Sequence, residues 1–231
     1  MKNFYRNKTQ AFTLAETLLT TAIIAVIAAL VIPSLNKNYQ QNVTITKLDK
    51  TFTQLESYLL KSISTYGNPK SWSNSTLDIQ TAIENFLEGV DVIKICAPNT
   101  NCPSVNFYTS LDGTTFGPLF RAKERGCAIL NDGSFICMDN TKNSCSSYIN
   151  GVHGICGSIY LDTNGAQGPN KFGVDTFRFY YTENRITPAG ETNYKLVMFC
   201  NREYKHALNG FDCTAWALKK SNFDYLEKNI H

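Results

Sequence analysis

The sequence lacks the local signatures by which most catalysts are recognised. It contains no nucleophile elbow, no zinc-hydrolase helix, no glycine-rich phosphate loop and no dinucleotide fingerprint. Its three histidines, His153, His206 and His231, sit in no ligand pattern, and no C-x-x-C pair is present. These absences leave no candidate catalytic residue, and the chain is not expected to be an enzyme. A basic stripe of the kind that tracks nucleic acid is missing too, so no specific nucleic-acid site is expected. The formal charge is +3, and Lys2, Arg6 and Lys8 account for all of it. The other 19 basic side chains (22 less those three) balance 19 acidic ones. No internal repeat is present. The most informative absence is local: the 19 residues from Thr17 to Leu35 carry no charge. That length matches the roughly 20 residues a helix needs to cross the hydrocarbon core of a bilayer.

A short basic leader precedes this run. The positive-inside rule therefore keeps the N-terminus in the cytoplasm and exports the remainder. A cleavable secretory signal has an apolar region of about 7–15 residues that ends at a small-residue site. Here the run is longer, carries Glu16 near its start and leads directly into a helical pattern, so the span is expected to be retained. A carboxylate in a span is expensive, roughly 2.5–3.5 kcal/mol at its centre, which marks Glu16 as a candidate functional residue. Pro33 removes a backbone donor within the run and predicts a kink or local melting. Beyond it Ile45, Leu48, Phe52, Leu55, Leu59 and Ile63 recur at helical spacing. Gly67 and Pro69 supply stop signals, and the pattern predicts one helix over 13–64.

All eight cysteines follow this helix. An even number in an exported chain reads as disulfides formed in an oxidising compartment rather than as metal ligands. In C-A-I-L-N-D-G-S-F-I-C, residues 127–137, a three-residue Asn131-Asp132-Gly133 turn sets Leu130 opposite Ser134, and hence Cys127 opposite Cys137. The pairs Cys96–Cys102, Cys145–Cys156 and Cys200–Cys213 are expected from sequence proximity alone. Residues 65–74 read as a linker and 75–88 as a short helix. Short strands follow, expected at 155–161, 176–181, 194–199 and 214–219, with turn dipeptides such as Asn150-Gly151 and Asn164-Gly165 between elements. One long helix followed by a succession of strands is an α+β order.

The stretch A-F-T-L-A-E-T-L, residues 11–18, stands between the basic leader and the apolar run. It resembles the processing and methylation site of prepilins, the precursors of type IV pilins and of type II secretion pseudopilins. The resemblance covers residues 6–60, and its first third is the most specific. It implies that prepilin peptidase cuts between Ala11 and Phe12 and that Phe12 becomes the N-methylated terminus, with Glu16 the fifth mature residue. The family usually has Gly where this chain has Ala11, and many pilins have a proline where Pro33 falls. The implied organisation is a cleaved leader (1–11), a transmembrane or filament-core helix (12–35), its amphipathic continuation (36–64) and a head (65–231). That fold is pilin-like: a long N-terminal helix packed on an antiparallel sheet stapled by disulfides. Cleavage would leave an amine beside the membrane core. Pairing Glu16 of one subunit with the Phe12 amine of a neighbour would offset the desolvation of both and set axial register.

The expected function is a structural subunit of a type IV pilus or a type II secretion pseudopilus. The size of its head favours a minor component. Expected partners are prepilin peptidase, other pilin or pseudopilin subunits, and the inner membrane, crossed once with the head periplasmic or extracellular. The alternative is a binding or adhesion module carried on a membrane or filament. One polar stretch in the head, D-T-N-G-A-Q-G-P-N-K-F-G-V-D at 162–175, groups Asp162, Asn164 and Asp175, whose oxygens suit Ca²⁺. Some major pseudopilins bind calcium in a head loop. The stretch is not an EF-hand, since Ala166 and Gln167 occupy a ligand and the glycine position. The competing reading is a connection whose Asx side chains cap turns. No other cofactor is expected.

Overall fold

The computed structural model of the chain describes residues 12–74, 79–96, 100, 102, 105–117, 125–140, 145–192, 199–201 and 203–227. They fall into two compact units, Met1–Gln41 and Asn42–His231. Helix α1, Leu14–Tyr66, contributes to each. It holds Pro33 in its interior and does not stop there. It ends where Gly67 adopts φ +81° and its N–H donates to the Ile63 carbonyl at 3.0 Å, a left-handed cap that a residue with a Cβ rarely adopts.

In the N-terminal unit the apolar side chains of α1 are exposed, Leu14, Leu18, Ile24, Leu30 and Leu35 among them. This helix is long and apolar enough to cross a membrane.

The second unit is built on a six-stranded antiparallel sheet of order β1-β4-β5-β8-β9-β10. Its strands are β1 (Val92–Cys96), β4 (Arg125–Leu130), β5 (Phe135–Asn140), β8 (Gly157–Asp162), β9 (Thr176–Tyr181) and β10 (Ile186–Pro188). Two small ribbons accompany it, β2 (Tyr108–Thr109) with β3 (Thr115–Phe116), and β6 (Ser147–Ile149) with β7 (Val152–Ile155). Side chains alternate cleanly across the sheet, as a period of two requires. Ala128, Leu130, Ile136, Met138, Ile159, Leu161, Phe177 and Phe179 face one core. Cys127, Phe135, Cys137 and Tyr160 face a second, with Tyr108, Phe172 and Phe211.

The first core is covered by α1 and by α3, Ile79–Phe86. Leu48, Leu55 and Leu59, one helical stripe, are fully buried there, each contributing roughly 1.5–3 kcal/mol. Phe52 stacks on Phe179 with centroids 5.7 Å apart. Helix α3 approaches β4 at Gly126, where a Cβ would lie 2.8 Å from an Ile83 methyl and 2.9 Å from the Ile79 carbonyl oxygen. Burial on both faces explains why all six residues of β8 are buried.

The four disulfides are Cys96–Cys102, Cys127–Cys137, Cys145–Cys156 and Cys200–Cys213, the pairs expected from proximity and from the hairpin. In that hairpin Cys127 opposes Cys137 and Gly133 sits at φ +82°. The Leu130 N–H donates to the Ser134 carbonyl at 2.9 Å.

Other expectations need correcting. The stretch 214–219 is not a strand but helix α4, Thr214–Lys220. Its Ala, Leu and Lys content favours a helix, Thr214 and Ala217 are buried at i,i+3 spacing, and Lys219 and Lys220 complement the dipole of its last turn. The 155–161 run is divided at Cys156: β7 pairs with β6, whereas β8 pairs with β5 and β9. The linker at 65–74 contains helix α2, Pro69–Asn74. The helix at 75–88 is seen as α3, and its first residues, 75–78, lie outside the described set, as do 194–198 of the strand expected at 194–199.

Candidate functional site

The start of α1 carries the first group of expected site residues. Phe12 is exposed and precedes the helix. Ala11, the other side of the expected cut, lies outside the described residues. Glu16 Oε2 accepts the Thr13 N–H at 2.8 Å and the Thr13 hydroxyl at 2.8 Å. In return the Glu16 N–H donates to Thr13 Oγ1 at 3.2 Å. This is a reciprocal capping box, with Thr13 at the N-cap and Glu16 three residues on, and it satisfies donors that a helix start leaves open. Sequence reasoning singled out Glu16 for its position beside a span and missed Thr13. The T-x-x-E spacing before an apolar run was the signal that would have found it.

The hydroxyls that follow are satisfied within the helix as well. Thr17 donates to the Leu14 carbonyl at 2.8 Å, Thr20 to the Thr17 carbonyl at 3.0 Å and Thr21 to the Thr17 carbonyl at 2.9 Å. Internal bonding of this kind is what an apolar surround demands of a hydroxyl. Pro33 supplies no N–H to the preceding turn, so one backbone acceptor of the run lacks its usual partner.

The loop between β8 and β9 brings Asp162, Asn164 and Asp175 together. Asp162 is fully buried and Asp175 nearly so. Asp162 Oδ1 accepts the N–H groups of Asn164 at 3.2 Å and Gly165 at 2.9 Å, and Oδ2 accepts the Tyr108 hydroxyl at 2.9 Å. Asp175 Oδ1 accepts the Lys171 N–H at 2.6 Å and the Thr176 hydroxyl at 3.3 Å. Its Oδ2 accepts the Asn170 N–H at 2.8 Å and Asn164 Nδ2 at 3.2 Å. Burial, and then the neighbouring Asp175 charge, pushes the Asp162 carboxyl up to about 8. Burial raises Asp175 too.

An ionised carboxylate offers about four acceptor positions. Asp175 accepts four hydrogen bonds from protein donors and Asp162 accepts three, while Asn164 turns its amide nitrogen, not its oxygen, towards Asp175. As arranged, these side chains hold the loop's turns, and the side-chain oxygens of Asn164 and Asn170 are buried there with no hydrogen-bond partner among the described residues. Among the described residues no group of three or more His, Cys, Asp or Glu is placed to hold a metal ion.

A third polar cluster is structural. Arg178 meets Asp212 at 2.5 Å, both nearly buried, and its guanidinium lies over Tyr180 at 4.9 Å and Phe211 at 5.1 Å. This clip joins the sheet to the segment closed by Cys200–Cys213.

Comparison with protein-family models, curated protein sequences and solved structures returned no match.

Proposed function

We propose that the chain is a prepilin-like structural subunit that is stored in the inner membrane and assembles through α1 into a type IV pilus or type II secretion pseudopilus, as a minor component. The supporting observation is the start of α1, where an exposed apolar helix carries one carboxylate held at its N-terminal end by Thr13. An apolar surface of this extent calls for lipid or for other chains.

In this reading, cleavage between Ala11 and Phe12 by prepilin peptidase puts a new amine one residue before Thr13. The capping box holds the Glu16 carboxylate close to that level. Thr13 takes two of its acceptor positions, both on Oε2, which leaves room for an ammonium donor from a neighbouring chain. The charge pair then forms where water is excluded, where an unpaired ion of either sign is strongly disfavoured. Methylation at Phe12 belongs to the same proposal.

The test separates capping from charge. Glu16→Gln keeps the capping acceptor and removes the charge, whereas Glu16→Ala removes both. If the charge sets register, both variants are cleaved normally, as read by intact mass, and both fail to enter filaments. Wild-type assembly by Glu16→Gln would reduce Glu16 to a cap and refute the register role.

A further inference from the structure

The two edges of the sheet differ in a way that fits one to the other. At the first edge β1 is irregular: Val92 opposes Leu130 and Lys94 opposes Ile129, so Ile93 is the extra residue of a bulge. The Ile93 side chain is 61% exposed. Bulges at sheet edges re-aim side chains. Here an isoleucine is aimed into solvent between an acid, Asp91, and a base, Lys94.

At the opposite edge a groove of about 650 Å³ lies beside β10. Its apolar lining includes Phe52 of α1, Ile186 of β10 and Leu218 of α4. Its α1 side carries Asp49 and Glu56, its α4 side carries Lys219 and Lys220, and its β10 side carries Arg185 and Glu191, which pair with each other at 3.9 Å. An apolar floor between an acidic and a basic rim is the complement of an isoleucine between a base and an acid.

We propose that the occupant of this groove is a second copy of the chain: Ile93 of one head seats on Phe52, Ile186 and Leu218 of the next. Lys94 then faces Asp49 and Glu56, and Asp91 faces Lys219 and Lys220. The bulge in β1 and Pro188 in β10 both disfavour strand-to-strand extension of the sheet, so the contact is made by side chains. Because the two surfaces differ and lie at opposite ends of one sheet, the interface is heterologous. The inference rests on the filament reading for its setting, and its wall on α1 continues the helix through which assembly is proposed.

The experiment uses the full-length chain in its membrane, with a photo-cross-linking amino acid at position 93 and adducts mapped by mass spectrometry. The expected product joins position 93 of one copy to residues 185–191 or 214–220 of another. Charge reversal supplies the second readout. Lys94→Glu and Glu56→Lys each lower the adduct yield about fivefold, and the double variant restores at least half of it. Thermal melts of all three variants verify folding. Filaments that incorporate the chain without the 93-to-groove adduct overturn this contact and leave the filament reading standing. The adduct in membranes of a chain that never enters filaments upholds the contact and overturns the filament reading. Adducts confined to lipid or to other surfaces overturn the contact in either setting.

Discussion

Replacing Asp162 by Asn should stabilise the chain by a much wider margin at pH 8 than at pH 5. Asp162 is fully buried, with its carboxyl pushed up to about 8 by burial and by the Asp175 charge. In the unfolded chain the same group titrates near 3.9, as an aspartate in water does. Between those values the folded chain holds the proton and the unfolded chain has released it. The contribution is therefore fully present below about pH 4 and is lost as the pH rises towards 8. One proton changes stability by about 1.4 kcal/mol per pH unit, on the order of 4 kcal/mol between pH 5 and 8. The amide of Asp162→Asn keeps an oxygen for the Asn164 and Gly165 N–H groups and has no charge to set against Asp175. For a chain of this size 1 kcal/mol corresponds to about 2–4 °C, so the variant's advantage in melting temperature should open by on the order of 10 °C over that range. The assay is thermal unfolding of the full chain in detergent micelles from pH 5 to 8.5, wild type beside variant. Two curves that run parallel with pH would refute the reasoning, because the buried carboxyl would then not be the group that titrates.

Two further outcomes follow from the head. Leu55→Ala removes a fully buried side chain from the α1 stripe and should cost about 2–5 kcal/mol, seen as a lower melting temperature with cleavage of the leader unaffected. Adding about 5 mM CaCl₂, or a chelator in its place, should shift the melting temperature by less than about 1 °C, since the loop carboxylates already hold protein donors. A saturable rise with calcium would mean that Asp162 and Asp175 exchange those donors for the ion.

The legible parts of the fold were those encoded within a few residues of themselves. The Leu48-Leu55-Leu59 stripe is periodic, and it is the stripe that packs on the sheet. Asn131-Asp132-Gly133 specified a turn, and the turn specified the register that joins Cys127 to Cys137. The other three disulfides close short loops, of sequence separation 6, 11 and 13, where proximity favours the near partner. The capping box at Thr13 and Glu16 was equally local and legible, but was obscured by reading Glu16 solely as a carboxylate beside a span.

The remainder depended on partners distant in sequence. Residues 214–219 have enough aromatic and β-branched character to read as a strand, and became a helix once Thr214 and Ala217 were buried on one side. Asp162, Asn164 and Asp175 read as oxygen ligands. Only the fold revealed that Tyr108, 54 residues away from Asp162, donates to it, and that the loop's own N–H groups occupy Asp175. Strand order likewise made β1 and β10 the edges and put the α1, β10 and α4 groove opposite the β1 bulge. By itself the sequence determined an apolar helix, its polar start and the closure of short loops, because propensity, periodicity and chain entropy act over short separations. The tertiary structure alone decided which carboxyl is dry and which strands lie at the edges, because burial and edge position are properties of the packed assembly rather than of any one segment.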